Sequence, residues 1–249
     1  MMLHFTSDWH LDHTRILTYC GRTEFMTPVE QERYLEAKDK VVKVEKLVNT
    51  GERSWQDLKV VKEAMRKLLY CRETVDRMDT FIIDDVNSKA QQGDEIWHHG
   101  DVGFFGSVER FLKLRNRIVC RNIHLIWGNH DKDIRHWAKN GLINGAFKSY
   151  HDIAVIRWQG QKIVGCHTAF LAWEGSGRGV WHTYGHSHAN LESWREEHLP
   201  RAKMVDVGVD YRAKLGKGYT MWSYMELQKY MESKEGQAVD HHGNCEEDD

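Results

Sequence analysis

Residues 122–131 read Asn-Ile-His-Leu-Ile-Trp-Gly-Asn-His-Asp, a β-forming run that breaks on glycine and then presents an amide, an imidazole and a carboxylate in succession. A short apolar stretch ending on glycine reads as a buried strand, and the C-terminal end of such a strand is where open α/β sheets place their ligands. Three polar side chains crowded into one tight turn serve no packing purpose. The pattern recurs on both sides of this stretch. Leu3–Ser7 leads into Asp8-Trp9-His10, Glu95–His99 into Gly100-Asp101, Lys162–Cys166 into His167, and Trp181–Tyr184 into Gly185-His186-Ser187-His188. Helical stretches at Val108–Arg117 and Ile134–Asn140 alternate with these runs, which predicts an α/β chain. Ile153–Trp158 and Gln161–Gly165 flank Gln159-Gly160 and predict a hairpin.

Residues 28–89 differ from the rest: they are highly charged and lack any strand-like run. Val41, Val44, Leu47 and Val48 repeat at helical spacing, as do Leu58, Val61, Met65, Leu68 and Leu69, and Ser54 with Asp57 marks a helix start. A helical hairpin inserted at about residues 31–75 is expected, followed by a helix from Val75 to Lys89 that carries Met78, Ile82 and Val86 on one face. The expected organisation is one domain over residues 1–232. A disordered acidic tail is expected over 233–249, where Cys245 and His241-His242 bind nothing specific.

Composition narrows the function. With 41% hydrophobic and 29% charged residues, the 249-residue chain can bury a sizeable core. Its 35 basic and 37 acidic side chains give no global field to attract nucleic acid or an anionic membrane. The five cysteines are scattered, with no CxxC pair, which argues against a disulfide framework or a thiolate zinc site. No apolar run approaches the roughly 20 residues that span a bilayer, so a cytoplasmic protein with no membrane partner is expected. Of the ten tryptophans, Trp9, Trp173 and Trp181 lie near the polar turns and are candidates for walling a pocket.

Each polar turn is weak evidence alone, since an isolated His167 is ordinarily a satisfied, partly buried histidine. Taken in order, Asp-x-His, Gly-Asp, Gly-Asn-His-Asp, Gly-Cys-His and Gly-His-Ser-His resemble the calcineurin-like metallophosphoesterase superfamily, over roughly residues 3–210. The opening Ser-Asp-Trp-His-Leu-Asp-His and the later Val-Asp-Val-Gly-Val-Asp are similar to small bacterial and phage phosphoesterases of unassigned substrate. The resemblance implies a four-layer αββα sandwich of two mixed sheets. It implies that Asp8, His10 and His188 hold one divalent ion, that Asn129, His167 and His186 hold a second, and that Asp101 bridges both. Carboxylate, amide and imidazole donors suit Mn²⁺ first, then Fe²⁺, Zn²⁺ or Ni²⁺. The implied reaction is phosphoester hydrolysis by a hydroxide between the ions, with His130 facing the phosphate as a catalytic residue and Asp131 orienting it or its loop.

The second block continues Val102-Gly103-Phe104-Phe105, without the aspartate and arginine of protein phosphatases, which disfavours that substrate class. A phosphodiesterase acting on a nucleotide or nucleic acid is therefore expected, with a phosphomonoesterase as one alternative and a non-catalytic binding protein on the same scaffold as another. His13, Arg22 and Arg178 are candidate substrate contacts, and Lys59, Lys62, Arg66, Lys67, Arg72 and Arg77 a candidate contact to a phosphate backbone. The plainer reading of that charge run is the solvated face of a helical hairpin. His98 and His99 match no ligand position, and strand alternation turns Cys166 away from the site, into packing.

Overall fold

A computed structural model describes residues 1–237 and residue 239. In chain order the elements are β1 (Leu3–Thr6), α1 (Ile16–Tyr19), α2 (Pro28–Asn49), α3 (Trp55–Arg66), α4 (Arg72–Lys89), β2 (Glu95–His98), α5 (Val108–Arg115), β3 (Asn122–Ile126), α6 (Lys132–Lys139), β4 (Ser149–His151), β5 (Ile153–Trp158), β6 (Gln161–Cys166), β7 (Trp181–Tyr184), α7 (Glu192–His198), β8 (Met204–Asp206), α8 (Val209–Lys214), β9 (Trp222–Ser223) and α9 (Tyr224–Glu232). The chain is α/β with two mixed sheets. One has the order β4-β3-β2-β1-β9, parallel except for β9, and the other the order β5-β6-β7-β8, parallel except for β5.

The sheets share one apolar cluster, to which Leu3, Phe5, Trp97, Ile126 and Trp222 come from the first and Ala154, Ile156, Ile163, Trp181 and Val205 from the second. All four residues of β1 are buried, as expected of a central parallel strand covered on both faces. For the same reason His98 and His99 are both fully buried, although alternation alone would turn one outward. The β5–β6 hairpin turns on Gln159 and Gly160 at φ 48° and 82°, the left-handed pair that a tight hairpin requires.

The chain divides into two compact units, Met1–Trp9 with Ile82 onward, and His10–Phe81. This differs from the single domain with an insertion at 31–75, because the segment from His10 and the first part of α4 pack with the hairpin. Within the second unit, α2 and α3 pair through Val41, Val48 and Leu58. Capping boxes Thr27/Glu30 and Ser54/Asp57 start these two helices. The tail was expected from residue 233, yet Lys234 is buried, with its Nζ donating to the Pro200 carbonyl at 3.1 Å, and the Gly236 amide donates to Arg201 at 2.9 Å. The rest of the expected tail, with His241, His242 and Cys245, lies outside the described residues. Among the described residues no helix is long and apolar enough to cross a membrane.

Candidate metal centre

The loops after β1, β2, β3, β6 and β7 carry the residues singled out from the sequence. Their backbones are unusual: eight non-glycine described residues adopt positive φ, and Asp8 (57°), His10 (50°), Asp101 (57°), His186 (67°) and His188 (47°) are five of them. The left-handed region costs an L-residue roughly 1–2 kcal/mol, so such positions collect where function demands them.

Two groups of ligand-type atoms bring expected ligands together. In one, Asp101, His167 and His186 bring ligand atoms within 4.8 Å of one another. Asn129 joins them: its Oδ1 lies 2.9 Å from His167 Nε2 and 2.9 Å from His186 Nδ1, and His167 Nε2 is 3.5 Å from Asp101 Oδ2. In the other, Asp8 Oδ1 lies 3.9 Å from His188 Nε2. His10, two residues on from Asp8 along the same segment, is buried and places its ring nitrogen 3.4 Å from that of His13.

Glycines make this convergence possible. A Cβ on Gly128 would stand 2.1 Å from Asp101 Oδ1, and one on Gly185 would stand 2.5 Å from Asp8 Oδ2. Asp131, buried itself, accepts from the amides of Gly128 (2.8 Å), Asp101 (2.9 Å) and Val102 (2.9 Å). It thus binds two loops together through their backbones. His130 is exposed, its amide donating to Asp101 Oδ1 at 2.9 Å and its ring centroid 4.9 Å from that of Phe104.

Burial raises the pKa of Asp101, with His167 opposing and Asp8 adding to the shift. Burial, reinforced by Asp8, also pushes Asp206 up to about 7. Burial and the neighbouring His167 lower that of His186. Buried carboxylates that disfavour one another's charge, beside the His186 imidazole held neutral, form a donor set suited to a divalent cation. The oxygen and nitrogen donors of Asp101, His167, His186 and Asn129, and those of Asp8 and His188, therefore suit a divalent cation.

The supporting residues were less legible. His98 Nδ1 accepts from the Gly100 amide at 3.1 Å, and His99 supports the site twice, through Nε2 to Thr183 Oγ1 at 2.8 Å and through its carbonyl to His167 Nδ1 at 2.6 Å. Asp206 and Asp210 were missed. Asp206 accepts from Ser187 Oγ (2.7 Å), Ala189 N (3.1 Å) and Gly208 N (2.7 Å), and Asp210 Oδ2 lies 2.6 Å from His188 Nδ1. Two aspartates flanking a glycine directly after a strand, in the Val-Asp-Val-Gly-Val-Asp stretch, were the available signal.

The substrate candidates fare unequally. Arg22 is fully buried, with Nη1 3.4 Å from Met78 Sδ, because the left-handed Gly21 turns the chain inward after α1, so it is no substrate clamp. Arg178 is exposed on a short 3-10 turn between β6 and β7. His13 keeps its place three residues after His10. Trp9, Trp173 and Trp181 are buried in packing. On the hairpin, Lys62 pairs with Glu45 at 3.1 Å and Lys67 with Glu63 at 3.7 Å, which fits a solvated charged face.

The architecture is similar to that of a protein of unknown function from Aquifex aeolicus, whose crystal structure matches with a TM-score of 0.55 at 16% identity, over 92% of this chain and 98% of that one. At that identity the likeness shows the fold alone. No protein-family model matches the sequence, and no curated protein matches it either.

Proposed function

We propose that the chain is a hydrolase of phosphoesters in the calcineurin-like metallophosphoesterase superfamily, on the four-layer αββα scaffold of that family, and that it uses two divalent cations. The observation that carries this reading is the coincidence of two independent signals. Five of the seven ligands expected from motif order are also residues whose backbones are held left-handed at strand ends. Packing alone gives no reason for that overlap.

In this reading Asp8, His10 and His188 would hold one ion and Asn129, His167 and His186 the other, with Asp101 available to both. Two such ions, when bound, lower the pKa of a shared water toward neutrality and polarise a phosphoryl oxygen. The chain's own residues do the rest. His130 faces the phosphate, where its imidazole stabilises developing charge or protonates the leaving oxygen. Asp131 is a positioning residue, since it fixes the backbone from which Asp101 and His130 project. A diester of a nucleotide or nucleic acid is the favoured substrate, because the arginine and aspartate of protein phosphatases are missing after Asp101.

Metal content and hydrolysis measured together test this reading. The protein should take up about two Mn²⁺ per chain and cleave bis-p-nitrophenyl phosphate faster than p-nitrophenyl phosphate. Asp101→Ala should lose both metal loading and turnover. His130→Ala should keep its metal and lose roughly 10²–10⁴ in kcat. A metal-loaded protein inert toward both esters and toward a panel of nucleotides and oligonucleotides would sink the enzymatic reading and leave a binding protein. Faster cleavage of the monoester would overturn the diester preference alone.

A further inference from the structure

We propose that Asp210 is a positioning residue for His188, and that it makes the two ion sites unequal: a buried carboxylate stands behind the histidine of one, a backbone carbonyl behind a histidine of the other. The inference rests on the two-ion reading above and deepens it.

The segment from Met204 to Lys214 runs from β8 into α8. Its turn lies close under the site, since a Cβ on Gly208 would meet Asp206 Oδ1 at 2.8 Å and Asp8 Oδ2 at 2.9 Å. Asp206 takes hydrogen bonds from Ser187, Ala189 and Gly208, so both sides of His188 are tied to this turn. One helical step later Asp210, in the first turn of α8 and buried, brings Oδ2 to 2.6 Å from His188 Nδ1.

An ionised carboxylate only accepts hydrogen bonds, so Nδ1 of a neutral His188 carries the proton and Nε2 keeps its lone pair. Nε2 is the nitrogen that faces Asp8 Oδ1 across 3.9 Å. Both atoms are therefore within reach of one cation, which each would bind at about 2.1 Å.

His167 is fixed differently. Its Nδ1 donates to the carbonyl of His99 at 2.6 Å, and its Nε2 faces Asn129 and Asp101. A carbonyl selects the same tautomer as a carboxylate but brings no charge. The carboxylate makes its imidazole a stronger donor and adds a negative charge near the ion. The site at Asp8 and His188 therefore binds its cation more tightly and gives it up last to a chelator.

Calorimetric titration of the metal-free full-length chain with Mn²⁺ tests this, alongside ¹⁵N NMR of the His188 ring. The wild type should show two binding steps and a His188 protonated at Nδ1. Asp210→Asn, which keeps an acceptor but removes the charge, should weaken the tighter step and leave the other unchanged. Asp210→Ala should weaken that step further, by roughly 10–100-fold, and let His188 exchange tautomers. Unaltered tight steps in both folded variants would overturn the proposal, as would equal weakening of both steps. Should the variants fail to fold, the wild type alone decides: a His188 protonated at Nε2 contradicts the assignment. A wild type that takes up no Mn²⁺ would instead bring down the two-ion reading itself.

Discussion

His182 shows how closely a single side chain can be specified by its neighbours. Its Nδ1 lies 2.9 Å from the Val164 carbonyl, which only accepts, and its Nε2 lies 2.9 Å from the Phe170 amide, which only donates. The neutral tautomer with the proton on Nδ1 is therefore the only form that satisfies both bonds. Burial lowers its pKa to about 4. Because the folded value lies below the unfolded one, the stabilisation is complete above about pH 6.5 and is lost as pH falls through about 4, on the order of 3 kcal/mol in all. Denaturant unfolding between pH 4 and 7 should show this slope, and His182→Gln should flatten it. A native His182 that titrates near its ordinary value would contradict the assignment. Arg22 teaches the opposite lesson about legibility. Its charge suggested a surface role, but the turn at Gly21 that buries it is a tertiary fact, and side-chain type alone does not reveal it.

At the scale of elements, α2 is held by one residue with two tasks. Glu30 closes the capping box with Thr27, and it also accepts from the Cys71 amide at 2.7 Å and from Thr74 Oγ1 at 2.6 Å, which ties the start of α2 to the start of α4. Burial opposes its ionisation, but the hydrogen bonds from Thr74, Thr27 and Cys71 outweigh burial and depress its pKa to about 2. The folded value lies below the unfolded one, so this support is present above about pH 4.5 and disappears as pH falls toward 2. Glu30→Gln should cost roughly 1–3 kcal/mol near neutral pH and speed amide exchange at Cys71. A wild-type exchange rate there would show that the link is idle. The α3 start was readable from Ser54 and Asp57 because a capping box is local. The α2–α4 link spans 41 and 44 residues of sequence and was not. Strands β4, β8 and β9, of 3, 3 and 2 residues, are too short to show a period and exist through the neighbours they pair with.

For the molecule as a whole, the main strands and the order of the polar turns were legible because each turn follows an apolar run that signals burial. The residues that steady those turns were not, since Asp210 lies 22 residues from His188 and Asp131 acts on the backbone of Asp101, 30 residues earlier. The left-handed ligands carry a consequence of another kind. Conformational preference at these positions points toward glycine, so the chemistry and the durability of the chain are opposed there. His186 is the clearest case, being exposed, at φ 67°, with its ring directed at Asn129. Stripped of metal, His186→Gly should melt no lower than the wild type and as much as roughly 2–4 °C higher, yet added Mn²⁺ should raise the melting temperature of the wild type far more. A metal-free variant that melts well below the wild type would contradict this. If the opposition holds, selection for thermal robustness alone, with no demand for turnover, would erode this centre one imidazole at a time, and the scaffold left behind would outlast its own activity.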